Sequence, residues 1–200
     1  MLQLGIIADD FTGASDIASF LVENGLRTVQ MNGIPQRPLP DGVDAVVISL
    51  KSRSNPVDEA IAQSLAALDW LRAQDCRQFY FKYCSTFDST AQGNIGPVTD
   101  ALLDALGEDF TVISPALPVN GRTIFNGYLF VGQVLLNESG MQNHPITPMR
   151  DASLPRLMDA QARGKTGLVA YPDMVQGAAH VRDCFARLRA DGYRYAVADS

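Results

Sequence analysis

The fold is indicated by the stretch Leu4-Gly5-Ile6-Ile7-Ala8-Asp9-Asp10-Phe11-Thr12-Gly13-Ala14. Its first five residues form a continuous apolar run, which is typical of a strand buried on both faces. Two carboxylates follow at the end of that strand, and apolar residues then recur at helical spacing as far as Val22. Because ligands of parallel sheets bind beyond the carboxyl ends of the strands, this turn is also the first candidate for chemistry.

Strands and helices continue to alternate after this turn. Ala45–Leu50 and Phe79–Lys82 have the composition of strands, and Pro56–Arg72 carries apolar residues at helical spacing. Thr123–Leu136 is aromatic and β-branched with two glycines, which predicts a hairpin or a strand pair. The 200 residues suffice for one α/β domain or at most two small ones. We predict a single domain over residues 1–200, a three-layer α/β/α fold with a mostly parallel sheet.

Composition argues against several classes of function. The formal net charge is −6, whereas a surface that binds nucleic acid needs an excess of Lys and Arg. Nucleic acid is therefore not expected as a partner. No uncharged apolar run approaches the roughly 20 residues of a membrane-spanning helix, so a membrane is not expected as a partner either. The apolar start has no basic leader, and three cysteines without paired spacing fit a reducing compartment. We therefore expect a cytoplasmic protein.

Asp9 and Asp10 are the first candidate site residues. Their carboxylates could accept hydrogen bonds from sugar hydroxyls, or one could act as a general base. Thr12 and Gly13 open a helix whose free N–H groups can hold an anion, and Gly13 permits close approach of a ligand. The alternative is that Asp10 or Thr12 merely caps the helix. We favour a functional role because a cap needs only one such group.

Two more loops follow predicted strands. Arg53 is suited to holding a carboxylate with two parallel hydrogen bonds, although a solvated loop explains it equally well. Lys82 ends a strand, where an unpaired buried charge is costly. A loop of hydroxyls and one carboxylate follows, which suits a polyhydroxylated acid, the alternative being a turn-rich connector. Its candidate residues are Ser85, Thr86, Asp88 and Ser89.

The remaining polar candidates give weaker signals. Asn120 and Arg122 end a loop fixed by prolines and could contact a ligand. His144 and His180 are the only histidines and lie far apart in the chain, so a histidine triad or a histidine-based metal site is not expected. His180 is interpreted as a surface residue of a helix.

Four motifs in this order resemble the four-carbon acid sugar kinases, with the 3-oxo-tetronate kinases as the most similar branch. They are Ala8–Ala14, Lys82–Asn94, Pro115–Arg122 and His144–Met149. One departure is Ala91-Gln92, where many members carry Leu-Arg. The resemblance implies two α/β domains, an N-terminal one that binds the sugar acid and a C-terminal one that binds ATP with Mg²⁺. It implies that this chain is the N-terminal domain and that the product is the 4-phosphate of the acid.

The resemblance also implies roles for individual residues. Asp10, near the 4-hydroxyl, and Lys82 are the predicted catalytic residues, and both are expected to bind substrate. A sugar acid and ATP are the expected partners, and a homo-oligomer is possible. The other predicted substrate-binding residues are Asp9, Thr12, Gly13, Arg53, Ser85, Thr86, Asp88, Ser89, Asn120 and Arg122.

Two other functions fit parts of the sequence. A phosphatase of the haloacid dehalogenase type also places Asp after its first strand, but its chemistry needs Asp-x-Asp, whereas Asp9 and Asp10 are adjacent here. A non-catalytic module that only binds a sugar acid, or a receiver-like switch, is the second alternative. A receiver usually has an Asp at the end of strand three, where this chain has Ser49-Leu50. A Walker-type loop is not found, since Gly164-Lys165-Thr166 has no Gly five positions upstream of Gly164.

Overall fold

The computed structural model describes residues 2–36 and 38–200. The chain divides into two compact units, the first ending at Cys84 and the second beginning at Ser85. Strands and helices alternate along both units, and each contains a parallel sheet. The predicted three-layer α/β/α class is confirmed, with the difference that the parallel strands form two sheets where one was expected. Within the described residues, no helix combines the length and the apolar character required to cross a bilayer.

The first unit is a four-stranded parallel sheet with two helices. The strand order is β2-β3-β1-β4, so β1 lies between β3 and β4. Ala8, the last residue of β1, is opposite Ser49 of β3 and Lys82 of β4. The three strands therefore end level with one another at one edge of the sheet. The elements are β1 (Leu4–Ala8), α1 (Phe11–Glu23), β2 (Thr28–Asn32), β3 (Ala45–Ser49), α2 (Val57–Ala73) and β4 (Gln78–Lys82).

The two central strands supply the core of this unit. All five residues of β3 and the last four of β1 are buried, as the apolar runs predict for a parallel strand covered on both faces. Ile6 and Val47 pack with Ile17 and Leu21 of α1. A Cβ on Gly5 would lie 2.9 Å from both methyl groups of Leu71, so glycine is the residue that lets α2 approach β1 this closely.

The second unit combines a parallel and an antiparallel sheet. β10 lies between β5 and β9 in the parallel sheet, and β7 lies between β6 and β8 in the antiparallel one. The elements are α3 (Ile95–Leu106), β5 (Thr111–Ile113), β6 (Arg122–Phe125), β7 (Tyr128–Val131), β8 (Val134–Leu135), α4 (Leu154–Asp159), β9 (Thr166–Val169), α5 (Tyr171–Met174), α6 (Ala178–Ala190) and β10 (Tyr195–Ala198).

The hairpin predicted in Thr123–Leu136 is confirmed as β6 and β7, with β8 added as a third strand. Asn126 and Gly127 form its two-residue turn, and both have positive φ (50° and 74°), the conformation that suits the twist of a tight hairpin. The carboxylate of Asp199 accepts hydrogen bonds from the backbone N–H groups of both turn residues, at 2.6 and 2.8 Å. It accepts a third from the N–H of Tyr171 at 2.8 Å. Asp199 thus joins the hairpin turn and the start of α5 to the end of β10.

A buried carboxylate joins α3 to the parallel sheet of the second unit. Asp100 accepts hydrogen bonds from the hydroxyl of Tyr195, from Nε of Arg194 at 3.2 Å and from the backbone N–H of Arg163 at 2.9 Å. Arg194 also donates to Asp104, one helical turn further on, at 2.6 Å. The charge of Asp100 is therefore compensated by hydrogen bonds and by Arg194, as a buried carboxylate requires.

Replacing Tyr195 by Phe should lower the free energy of unfolding by about 1.5–3 kcal/mol, because a buried hydrogen bond to a charged acceptor is lost. Burial and the hydrogen bond with Asp100 raise the pKa of Tyr195 to about 12. An ordinary tyrosine titrates near about 10, so the neutral side chain stabilises the fold fully below about pH 10, and this contribution is lost as the pH rises through about 12.

Urea unfolding across this pH range measures both effects. The difference in unfolding free energy between the wild type and Tyr195→Phe should be constant near neutral pH and shrink above about pH 10. The half-buried Tyr193 provides a control, since Tyr193→Phe also removes a phenolic hydroxyl but leaves the hydrogen bond between Tyr195 and Asp100 in place. A Tyr195→Phe difference that persists at the alkaline end would contradict the assignment.

Candidate functional site

Six predicted site residues come together at the carboxyl edge of the first unit's sheet. Asp9 and Asp10 follow β1, Arg53 lies in the loop after β3, and Lys82 ends β4. Since β1 is the neighbour of both other strands, their ends bring Asp10, Arg53 and Lys82 to one place, as the sequence predicts. Thr12 and Gly13 complete the group in the first turn of α1.

The pair formed by Asp9 and Arg53 is the centre of this edge. Arg53 donates to both carboxylate oxygens of Asp9, from Nη2 at 2.7 Å and from Nε at 3.0 Å. The carbonyl of Asp9 accepts from the backbone N–H groups of Ser52 and Arg53, at 3.0 and 3.2 Å. Burial raises the pKa of Asp9, while the hydrogen bonds and charge of Arg53 act in the opposite direction. Asp9 therefore holds the loop after β3 through both its side chain and its backbone.

Asp10 has two partners. Its backbone is extended (φ −149°, ψ 167°) and its carboxylate accepts the N–H of Gly13 at 2.8 Å, which is the geometry of a helix N-cap. The same oxygen, Oδ1, lies 2.9 Å from Nη2 of Arg53. The capping alternative is thus realised at Asp10, and both Asp9 and Asp10 bind Arg53, which a cap does not require.

Lys82 and Asp10 face each other across Gly13. A Cβ on Gly13 would lie 2.8 Å from Oδ1 of Asp10 and 3.3 Å from Nζ of Lys82. A side chain at this position would push the two charged groups apart, so glycine keeps the space between them open. Nζ of Lys82 donates one hydrogen bond, at 2.7 Å, to the carbonyl of Tyr83. An ammonium group has three donors, which leaves Lys82 capacity for a ligand.

The edge is balanced in charge and open to solvent. Two carboxylates and two cationic groups lie together, and the side chains of Asp10 and Arg53 are 26% and 22% exposed. Asp9 is only 6% exposed, so it supports Arg53 from the buried side, and its direct contact with a ligand stays a prediction. Asp10, Arg53 and Lys82 are more exposed than Asp9 and lie beside the exposed Thr12.

The predicted residues of the next loop belong to the second unit and have internal partners. Thr86 donates to the carboxylate of Asp88 at 2.7 Å, and both are buried. The hydroxyl of Ser89, which is fully buried, donates to the side-chain oxygen of Gln161 at 2.6 Å. These side chains shape the loop, and Ser85 is half-buried beside them in the chain. Their direct contact with a ligand stays a prediction.

Asn120 and Arg122 lie at the start of the hairpin in the second unit. Asn120 is exposed, and its carbonyl accepts a hydrogen bond from Nη1 of Arg122. Nε of Arg122 is buried and has no hydrogen-bond partner among the residues described. A buried donor without a partner is costly, so Arg122 has capacity to bind an acceptor. Their predicted role in binding substrate is not tested by this geometry.

Gln161 is an organising residue that the sequence did not reveal. Its side-chain oxygen accepts from Ser89 at 2.6 Å and from the N–H of Gly96 at 2.8 Å, and its amide nitrogen donates to the carbonyl of Leu157 at 3.0 Å. It therefore holds the loop of Ser89 against the first turn of α3. Gln161 lies 72 residues from Ser89, and no local pattern predicts such a contact.

Comparison with known proteins shows the family of this chain. The family model described as "Sugar-binding N-terminal domain" matches residues 4–200. A Haemophilus influenzae protein named 3-oxo-tetronate kinase is 78% identical over 198 residues, which is 99% of this chain and 48% of that protein. The protein of the same name from Escherichia coli K12 is 64% identical over 200 residues, or 100% of this chain and 52% of that protein.

Solved structures share the fold of this chain. A chain from Salmonella typhimurium LT2 has a TM-score of 0.99 at 65% identity, covering 100% of this chain and 48% of that one. A domain of unknown function from Bordetella bronchiseptica, a domain-swapped dimer with bound citrate, has a TM-score of 0.80 at 27% identity, covering 100% of this chain and 48% of that one. The present chain spans about half the length of the curated relatives it matches. It belongs to the family of sugar-binding N-terminal domains.

Proposed function

We propose that this chain is the sugar-acid-binding half of an ATP-dependent 3-oxo-tetronate kinase, which transfers a phosphoryl group to the 4-hydroxyl of a four-carbon sugar acid. The observation that carries the proposal is the open, charge-balanced edge formed by Asp10, Arg53 and Lys82. Relatives at 60–78% identity that bear the name 3-oxo-tetronate kinase support the choice of reaction.

The charges of the edge match those of a hydroxylated acid. Arg53 and Lys82 are the cations for the substrate carboxylate or its neighbouring hydroxyls, since a guanidinium and an ammonium both donate several hydrogen bonds. Asp10 accepts a hydrogen bond from the 4-hydroxyl and orients it for attack. Phosphoryl transfer depends mainly on such positioning and on neutralisation of charge, so a rigid set of charged groups is sufficient for this half of the enzyme.

Asp9 makes Arg53 rigid. Two parallel hydrogen bonds fix the plane of the guanidinium, which would otherwise be a long and flexible side chain. Fixing it before substrate arrives lowers the entropic cost of binding. Asp9 is thus a positioning residue, and its predicted direct contact with the substrate is replaced in this proposal by contact through Arg53.

The citrate bound to the Bordetella bronchiseptica structure supports the substrate class. Citrate is a hydroxylated carboxylic acid, and its chemistry overlaps with that of a sugar acid.

The domain-swapped dimer of the same Bordetella bronchiseptica protein supports a homo-oligomer in the proposed function. The three cysteines are free thiols here, which fits the proposed cytoplasmic location.

ATP and Mg²⁺ are assigned mainly to the part of the relatives that this chain does not match. When bound with ATP, Mg²⁺ neutralises the charge of the transferred phosphate. Both carboxylates at the edge already bind Arg53, which makes them poor ligands for a divalent cation. The residues of this chain therefore hold and orient the acid.

The geometry disfavours the phosphatase alternative. A phosphatase of the haloacid dehalogenase type uses the Asp after its first strand as a nucleophile. Here Asp9 is buried and both its oxygens accept hydrogen bonds from Arg53, so neither is free to attack a phosphate ester. The non-catalytic alternative makes the same ligand-binding prediction but no catalytic one, and turnover of the full-length enzyme separates the two.

Lys82→Met in the full-length enzyme should lower kcat/KM by at least about 100-fold, because the site loses a preorganised cation. Steady-state assays with a 3-oxo-tetronate and ATP measure the effect. Lys51→Met is the matched control, since Lys51 is an exposed lysine after β3, and it should retain activity. Unchanged turnover and substrate affinity in Lys82→Met would remove Lys82 from the mechanism.

Asp9→Asn should mainly lower stability, whereas Asp10→Asn should mainly lower kcat. Asn is a good N-cap, so Asp10→Asn should change the free energy of unfolding by less than about 1 kcal/mol while it lowers kcat. Asp9→Asn leaves the partly buried Arg53 without its main partner and should cost about 3–5 kcal/mol of stability. Chemical denaturation combined with activity assays measures both. Equal loss of stability in the two variants would refute the division of roles.

Binding of sugar acid to this chain alone provides an independent test. Tetronate, erythronate or threonate should raise the melting temperature by mass action, whereas ATP alone should not. Lys82→Met should abolish the shift, and Lys51→Met should keep it. Stabilisation by ATP without any response to the acids would overturn the assignment of the two ligands to separate halves.

A further inference from the structure

Three potential metal ligands meet on the second unit, in residues that the proposed kinase function does not use. Asp173 lies on α5, and His180 and Cys184 lie on α6. His180 and Cys184 are four residues apart and therefore share one face of the helix. One ligand atom from each of the three side chains lies within 4.8 Å of the others. In the described part of the chain, this is the one group of three or more such residues.

The existing contacts already hold two of the three groups together. Nε2 of His180 and Oδ1 of Asp173 are 2.8 Å apart. The contact between His180 and Asp173 is sufficient to connect α5 to α6. It does not explain why the thiol of Cys184 lies near both side chains. In a tetrahedral zinc site, neighbouring ligand atoms are separated by roughly 3.3–3.6 Å, given bond lengths of about 2.0–2.3 Å. Side-chain movements of about 1 Å convert the present arrangement into such a site.

The ligand types and their burial favour one kind of metal. Imidazole and thiolate together suit zinc, and hard cations such as Mg²⁺ prefer oxygen ligands. Cys184 is buried, while the side chains of His180 and Asp173 are 32% and 40% exposed. The sulfur is thus the buried ligand of the cluster, and the other two ligands lie at the protein surface. The fourth position of the metal would face solvent.

Arg187 adds an outer partner. Its Nη2 donates to Sγ of Cys184 at 3.1 Å. A sulfur ligand can keep such a hydrogen bond while it binds a metal, as ligands in metal sites commonly do. The thiol proton is released to solvent when the metal binds.

We propose that Asp173, His180 and Cys184 form a zinc site with three protein ligands and one open position, which departs from the sequence-based expectation of no histidine-based metal site. The site links α5 to α6. It also supports the contact between Tyr171, the first residue of α5, and Asp199 at the end of β10. It is separate from the sugar-acid site and stands or falls independently of the kinase proposal.

Titration of this chain with Co²⁺, as a spectroscopic substitute for Zn²⁺, tests the proposal. We expect one equivalent to bind and to give a thiolate-to-cobalt charge-transfer band in the near ultraviolet, which Zn²⁺ then displaces. Cys184→Ser should abolish the band. Cys76→Ser, at a thiol outside the cluster, is the matched control and should keep it.

His180→Ala separates the metal site from a mere thiol adduct. It should weaken Zn²⁺ binding by at least about tenfold in competition with a chromophoric chelator. Because Cys184 is buried, circular dichroism should first establish that Cys184→Ser is folded. His180→Ala and Asp173→Asn at half-exposed positions keep the test valid if it is not. Absence of the band in the wild type, or equal Zn²⁺ affinity in the wild type, His180→Ala and Asp173→Asn, would overturn the proposal.

Discussion

The bidentate ion pair between Asp9 and Arg53 is the interaction on which the candidate site depends. It joins the end of the buried strand β1 to the loop after β3, at the carboxyl edge of the sheet. Breaking such a pair leaves a charge with little solvent to stabilise it, so the two residues constrain each other strongly. The ion pair therefore restrains the position of Arg53 before any ligand binds.

Neighbouring groups take their roles from this pair. Asp10 contacts the same guanidinium and also caps α1, so the position of the helix and the position of Arg53 are coupled through one carboxylate. Lys82 approaches from β4, and Gly13 leaves the space between Lys82 and Asp10 unfilled. In the proposed function, a hydroxylated acid entering this space meets donors and acceptors that are already oriented, which is the condition for efficient positioning.

The second unit uses polar residues in a different way. Thr86, Asp88 and Ser89 are predicted ligand contacts because hydroxyls and a carboxylate dominate their loop. In the structure they are buried and bonded internally, with Gln161 as a partner from a distant segment. A buried polar group needs a hydrogen-bond partner, so these internal bonds shape the loop, and direct contact with a ligand stays a prediction.

Sequence alone was sufficient for the alternation of strands and helices, because apolar runs and helical spacing reflect burial directly. β3, α2 and the hairpin lie where these patterns place them, although α1 begins at Phe11, ahead of its first apolar repeat. The turn at Asp9 and Asp10 and the end of β4 at Lys82 could also be identified, since residues at the carboxyl ends of parallel strands share one edge.

Tertiary structure alone decided what each charge does. The sequence shows that Asp9, Asp10 and Arg53 exist, but it does not show that Asp9 is buried, that Arg53 is held by it, or that Asp10 caps a helix and binds Arg53 at once. The division of the parallel strands into two sheets, the bond between Gln161 and Ser89, and the meeting of Asp173 with Cys184 likewise depend on packing. These features arise from distances between residues remote in the chain, and local patterns of hydrophobicity carry no information about such distances.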